Sequence, residues 1–282
     1  MQPTTASGRL VDFMRRHPTI VVGGLLLFTI ALAAVFAPLI ARDPLALEPI
    51  NRLKAPSAEF WLGTDSLGRD IYARMVYGAR ISLLVGLTVA LFSVLAGAVI
   101  GLVAGYFRRI DAVVMRLMDG LMAIPSILLA IALVSLLGAS VKVVIVAIVI
   151  PEIPRVTRLV RAVVLSVRDL PYVEAARSNG TRVGKLLRRH ILPSTVAPLI
   201  VQATYICASA ILTEAGLSFL GAGTPPEFPT WGNMIASSRL YLQIAPWTIF
   251  APGICLALVV LAVNLLGDGL RDRLDPRISR RM

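Results

Sequence analysis

Five stretches of this chain run for at least 22 residues without an Asp, Glu, Lys or Arg: 18–41, 81–107, 120–141, 191–213 and 240–267. A helix rising 1.5 Å per residue needs about 20 apolar residues to cross the hydrocarbon core of a bilayer, so each stretch is long enough to span. A sixth apolar run begins at Val143, is interrupted by Pro151-Glu152-Ile153-Pro154, and resumes through Val156, Leu159, Val160, Val163 and Val164. It predicts a span that kinks and emerges as an amphipathic helix, its freed carbonyls taken up by neighbouring helices or water. Composition points the same way: 57% hydrophobic and 16% charged residues with mean hydropathy +0.80 exclude both a water-soluble globule and a disordered chain. The expected fold class is an all-α integral membrane protein with six transmembrane helices. The first run also has the form of a secretory signal, with Arg15 and Arg16 ahead of it and Ala31, Ala33 and Ala34 near its end. Its uncharged length exceeds the roughly 7–15 residues of a signal's apolar region, so an uncleaved anchor is expected.

Six spans place both termini on one side, and Lys and Arg near span ends say which. One side, formed by the N-terminus, the 108–116 loop, residues 155–189 and the tail, carries 20 of the 28 basic residues; the other carries eight. Both termini are therefore expected in the cytoplasm (N-in/C-in). The net charge of +12 reads as a topology signal. A nucleic-acid partner is excluded, because the charges flank spans and no aromatic-basic platform accompanies them. The lipid bilayer is the first partner this chain must have.

Three long connections remain: outer segments 42–80 and 218–239, and inner segment 155–190. Function concentrates in such connections. They suggest a division into 1–80 (tail, first span and extracytoplasmic segment), 81–270 (a five-helix core) and 271–282 (cytoplasmic tail). The inner segment reads helix-break-helix. Ala175 and Ala176 favour helix, Gly180 permits a sharp turn, Lys185 to His190 forms a basic second helix, and Pro193 marks its end. A short helix with a small-residue face and an acid, Glu174, suits insertion into a groove of a partner protein; the alternative is an interfacial connector with no partner. In the first outer segment, Phe60, Trp61, Ile71 and Tyr72 can bury apolar area on the outer membrane surface, and Asp65 and Asp70 lie within reach of Arg69, Arg74 and Arg80, so order is expected there.

Several chemistries lack their residues. There is no G-x-x-x-x-G-K-[ST] phosphate cradle. His17 and His190 stand alone in different segments, short of a metal cluster. Ser218, in Gly216-Leu-Ser-Phe-Leu, lacks the second glycine of a nucleophile elbow and has no outer histidine as base. Cys207 and Cys255 lie inside apolar runs and read as packing residues. An ion-coupled secondary transporter would carry ionisable groups at mid-membrane and often internal repeats, whereas Glu152 and Glu214 fall near span ends. A carboxylate beside a span needs water, a donor or a cation. Glu214, with Ser218 near it, is therefore expected to face a translocation path, or else to bond the turn around Gly221 and Gly223.

The inner segment carries a resemblance. Glu174-Ala175-Ala176, three residues, Gly180, nine residues, then His190-Ile191-Leu192-Pro193 resembles the EAA loop of bacterial ABC-importer permeases, with the H-I-L-P ending of the oligopeptide/dipeptide/nickel branch. Leu62-Gly63-Thr64-Asp65-Ser66-Leu67-Gly68-Arg69-Asp70, followed by Arg74 and Gly78-Ala79-Arg80-Ile81-Ser82-Leu83, is similar to a block of DppC/OppC-type permeases. Glu214 to Gly221 and Gly267 to Arg277 extend the match. The resemblance implies a type I importer permease of the bacterial plasma membrane. In it, Glu174, Ala175, Ala176, Gly180, His190 and Pro193 dock onto a cytoplasmic ATP-binding subunit through a coupling helix within 174–193. It also implies a second homologous permease, an extracytoplasmic solute-binding protein, and no cofactor on this chain, ATP and Mg being held by the ATPase. The implied substrates are dipeptides and oligopeptides, with nickel, haem or another solute as alternatives. Catalytic and metal residues are not expected.

Overall fold

A computed structural model describes residues 17–274, and these form an all-helical bundle without named strands. The basic residues Arg9, Arg15 and Arg16, and the tail from Asp275-Pro276-Arg277 to 282, lie outside the described residues. The chain runs through α1 (Pro18–Val35), α2 (Ala37–Ile40), α3 (Ile71–Tyr106), α4 (Arg108–Ala123), α5 (Ser126–Leu137), α6 (Val141–Val167), α7 (Pro171–Ser178), α8 (Val183–Leu186), α9 (Leu192–Phe219), α10 (Trp231–Ser238) and α11 (Trp247–Leu274). A π-helical turn, Leu187–Ile191, joins α8 to α9. At the centre, α3 packs along α6 and α9, while α1 lies against α11 and α3 on the periphery.

Close approach, more than side-chain bulk, holds α3 to α6. Gly97, Gly101 and Gly105 repeat every four residues along one face of α3. A Cβ added at Gly101 would sit 2.7 Å from the Thr157 carbonyl and 2.8 Å from Val160 Cβ, and one at Gly105 would sit 2.7 Å from Val164 Cβ. In lipid, where apolar side chains gain little by leaving the solvent, such small-residue faces let backbones pack closely.

The spans differ from expectation in informative ways. Four helices, α1, α3, α11 and the continuous 183–219 segment containing α9, are long and apolar enough to cross a membrane by themselves. The third expected span, 120–141, is delivered as a bent pair: α4 and α5 meet at 86° around Ile124-Pro125, making five if the pair counts as one. The kinked run is one continuous helix, α6, with Pro151 and Pro154 inside it, but Lys142, Glu152, Arg155 and Arg158 make it too charged to count as a span by composition. The expected count of six therefore depends on how these two elements sit in lipid. Within α6, Glu152 is buried and takes both its contacts from Arg155 Nη1 at 3.1 and 3.2 Å.

Two boundaries also move. α3 starts ten residues before 81, because Asp70 caps it by accepting from the Tyr72 amide at 3.0 Å, so Arg74 and Arg80 lie inside the helix. α11 starts at Trp247 and not at 240, residues Arg239–Tyr241 forming a separate 3-10 turn before Pro246.

Candidate functional site

At the cytoplasmic face, α7 opens on Pro171 and ends in an Asn179-Gly180 turn. Gly180 adopts φ +74°, and the amide of Thr181 returns to the Ala176 carbonyl at 3.1 Å. That closure needs a left-handed residue, which is what the glycine supplies. Val173, Leu186 and Ile191 are buried and anchor the segment from beneath, and the Tyr172 hydroxyl reaches the His190 carbonyl at 3.4 Å. What remains outward is the predicted docking set. Glu174, Ala175, Gly180 and Pro193 are exposed, Ala176 and His190 half-buried, and no atom lies within 4 Å of a Cβ built on Gly180. Leu170, Tyr172 and Val183 add exposed apolar surface around them. Glu174 pairs with Arg177 of its own helix at 3.6 Å, both half exposed, so its partner in the isolated chain is internal.

The neck of this segment is tied to the core by charged contacts that sequence reasoning did not single out. Arg168 Nη1 donates to the Gly105 carbonyl at 2.9 Å, at the end of α3. Arg161 forks onto Asp111, its Nη2 at 2.6 Å from Oδ2, and Arg158 meets Asp119 at 2.5 Å, so that α4 is pinned to α6. All four residues are visible in the sequence as charges beside spans, but nothing in their spacing pairs residues 39 to 50 positions apart.

Near the outer end, Glu214 is 1% exposed. Its Oε1 accepts from the Ser218 hydroxyl at 2.9 Å, one helical turn on, and from Thr224 at 3.3 Å. Asn233 Nδ2 donates to Thr224 Oγ1 at 3.0 Å and to the carbonyls of Thr224 and Pro225 at 2.9 and 3.1 Å, while Thr230 caps α10 by accepting from the Asn233 amide. Glu214 and Ser218 thus lie inside a polar knot closing the 220–230 loop, and Glu214's partners are hydroxyls, not the backbone amides around Gly221 and Gly223. Gly223 and Gly232 approach so closely that an added Cβ would meet Ser218 Oγ at 2.0 Å and Ala215 Cα at 2.6 Å.

The extracytoplasmic block folds into a second knot. Asp65 accepts from the amides of Leu67 and Arg69 at 2.8 and 3.0 Å and pairs with Arg69 Nε at 2.7 Å. Thr64 bridges Asp70 and takes the Lys54 amide on its hydroxyl at 2.8 Å. Gly63 and Gly68 both have φ +75°, and a Cβ at Gly68 would fall 1.8 Å from the Glu48 carbonyl oxygen. Arg74 is 2% exposed, with Asp65 3.8 Å away. Half burial pushes the Asp70 carboxyl above its ordinary range, against the pull of the Tyr72 and Ala73 amides. Phe60 and Ile71 are buried as expected. Trp61 is 65% exposed and rests on Tyr72 at a ring separation of 5.0 Å, while Phe60 fills the interior position. One expectation fails here. Arg80 reaches neither aspartate: it lies three turns along α3 from the knot, over the Tyr77 ring at 5.9 Å.

Residues 93–280 match the family described as "Binding-protein-dependent transport system inner membrane component". The chain is 60% identical over 279 residues to a probable peptide ABC transporter permease, y4tQ, of Sinorhizobium fredii, covering 99% of this chain and 96% of that protein. It is 45% identical to the dipeptide transport system permease DppC of Alkalihalophilus pseudofirmus, covering 94% and 88%. Among solved structures, the inward-facing MetNI methionine ABC transporter superposes with a TM-score of 0.59 at 18% identity, covering 73% of this chain and 98% of that one, a likeness of fold.

Proposed function

This chain belongs to the family of binding-protein-dependent transport system inner membrane components and is a permease subunit of an ABC importer in the plasma membrane, and from that premise we propose that its cargo is dipeptides and oligopeptides. In this reading it pairs with a second homologous permease, receives solute from an extracytoplasmic binding protein, and takes its drive from a separate ATPase subunit that holds ATP and Mg. The observation that carries the cargo is the near end-to-end similarity to permeases named for peptides. The exposed turn around Gly180 supports the coupling role: it is a small-residue surface supported from beneath by Val173 and Leu186, with room for a partner groove.

The test is uptake of a labelled dipeptide by vesicles containing the whole transporter, ATP inside and binding protein outside. ATP-dependent accumulation is expected, competed by other short peptides but not by nickel or haem. Gly180→Asp places a side chain where the backbone is left-handed, at a cost of about 1–2 kcal/mol confined to an exposed turn. The variant should insert normally and lose uptake. Normal uptake by Gly180→Asp would remove the docking assignment, and accumulation of nickel or haem without peptide would remove the cargo.

A further inference from the structure

Two grooves open on the flanks of the bundle, and their linings differ in kind. One, of about 450 Å³, runs between α3 and α6 past Phe92, Val146 and Val149; its Thr88 hydroxyl is turned onto the Leu84 carbonyl of its own helix at 2.5 Å. Its remaining wall is carbon apart from Lys142, which lies in the first turn of α6 at the outer end of the groove. The other, of about 610 Å³, lies between α6, α9 and α11, and holds Ser194, Gln202, Tyr205 and Arg271 among apolar neighbours such as Leu159 and Pro198. Ser194 follows Pro193 at the cytoplasmic end of α9, and Arg271 lies in the last turn of α11. Gln202 and Tyr205 therefore stand about 12 and 16 Å up α9 from Ser194, as far as mid-membrane. Tyr205 is 49% exposed, and among the described residues no carboxylate pairs with Arg271. At that depth the Gln202 amide and the Tyr205 hydroxyl are costly against lipid and ordinary against water, while the Arg271 guanidinium stands at the cytoplasmic end of the same groove.

We propose that this second groove is an aqueous vestibule, this chain's share of the solute path at its cytoplasmic end, with Gln202 and Tyr205 on its wall and Arg271 giving its mouth a positive potential. The inference deepens the permease reading and rests on it. It places the path along the 194–205 face of α9, about two turns below the closed knot that holds Glu214 and Ser218. A positive mouth suits an anionic group on the departing solute, such as the carboxylate of a peptide.

The experiment is cysteine accessibility in the full transporter, in inverted vesicles that present the cytoplasmic face. Gln202→Cys, Tyr205→Cys and, as the lipid-facing control, Val146→Cys are treated with membrane-impermeant methanethiosulfonates bearing a sulfonate or a trimethylammonium. The unsubstituted chain, with Cys207 buried and Cys255 half-buried, serves as blank. Expected are modification at 202 and 205 but not at 146, a several-fold faster reaction with the sulfonate, and loss of that preference in Gln202→Cys/Arg271→Gln. If 202 and 205 resist both charged reagents, the vestibule is overturned. Failure of peptide uptake with the vestibule still reactive would overturn the cargo and leave the vestibule standing.

Discussion

Glu214 shows how much one carboxylate can organise. The sequence marks it as unusual, an acid beside an apolar run, but not what surrounds it: its partner Thr224 and the Asn233 that bonds Thr224 lie ten and nineteen positions on, and only the reversal of the chain brings them back. Its Oε1 is the acceptor on which Ser218 and Thr224 converge. An amide oxygen can take the same role and an alkyl group cannot. Glu214→Gln is therefore expected to keep the melting temperature of the purified transporter close to that of the parent. Glu214→Leu leaves two buried hydroxyls short of a partner and costs about 1–3 kcal/mol. Equal melting of both variants with the parent would show that the knot does not depend on this side chain. The turn at 179–180 is more legible, because a position that needs φ above zero advertises itself as Gly180, whereas the distance of Arg80 from the aspartates is not, since nearness along the chain says nothing about which side of α3 a residue faces.

Among elements, the apolar spans could be read from length alone, and the helices begin and end where caps and prolines allow. The α4–α5 bend could not: Pro125 breaks the run, but an 86° turn is decided by the Asp111 and Asp119 contacts to α6, which fix α4 against the bundle. The Gly97, Gly101, Gly105 repeat is present in the sequence yet does not name its partner. The geometry does, and it predicts sharply. Gly101→Val forces a side chain into Thr157 and Val160 and is expected to abolish the yield of folded protein, because backbone is among the obstructing atoms. Gly120→Val, in α4 where no neighbouring atom lies within 4 Å of an added Cβ, is expected to leave yield unchanged. Fluorescence size-exclusion profiles of the two variants test the pair, and a monodisperse Gly101→Val peak would contradict the account of helix contact.

At the scale of the whole molecule, one helix is longer than any other described α-helix and is fixed at both ends. α3 is 36 residues long, about 54 Å at helical rise, well beyond the hydrocarbon thickness. Its outer end is fixed by the Asp70 cap and by Trp231 Nε1 donating to the Met75 carbonyl at 3.0 Å; its inner end is held where Arg168 grips Gly105. The other three helices of 27 or 28 residues each contain proline: Pro151 and Pro154 in α6, Pro198 in α9, Pro252 in α11. Prolines are where helices bend, and α3 has none. The consequence is mechanical: if the proposed coupling to an ATPase holds, α3 is expected to act as a strut while the proline-bearing helices flex around it. Paired spin labels near the two ends of α3 should report one unchanged distance with and without ATP, while a pair spanning Pro198 shifts.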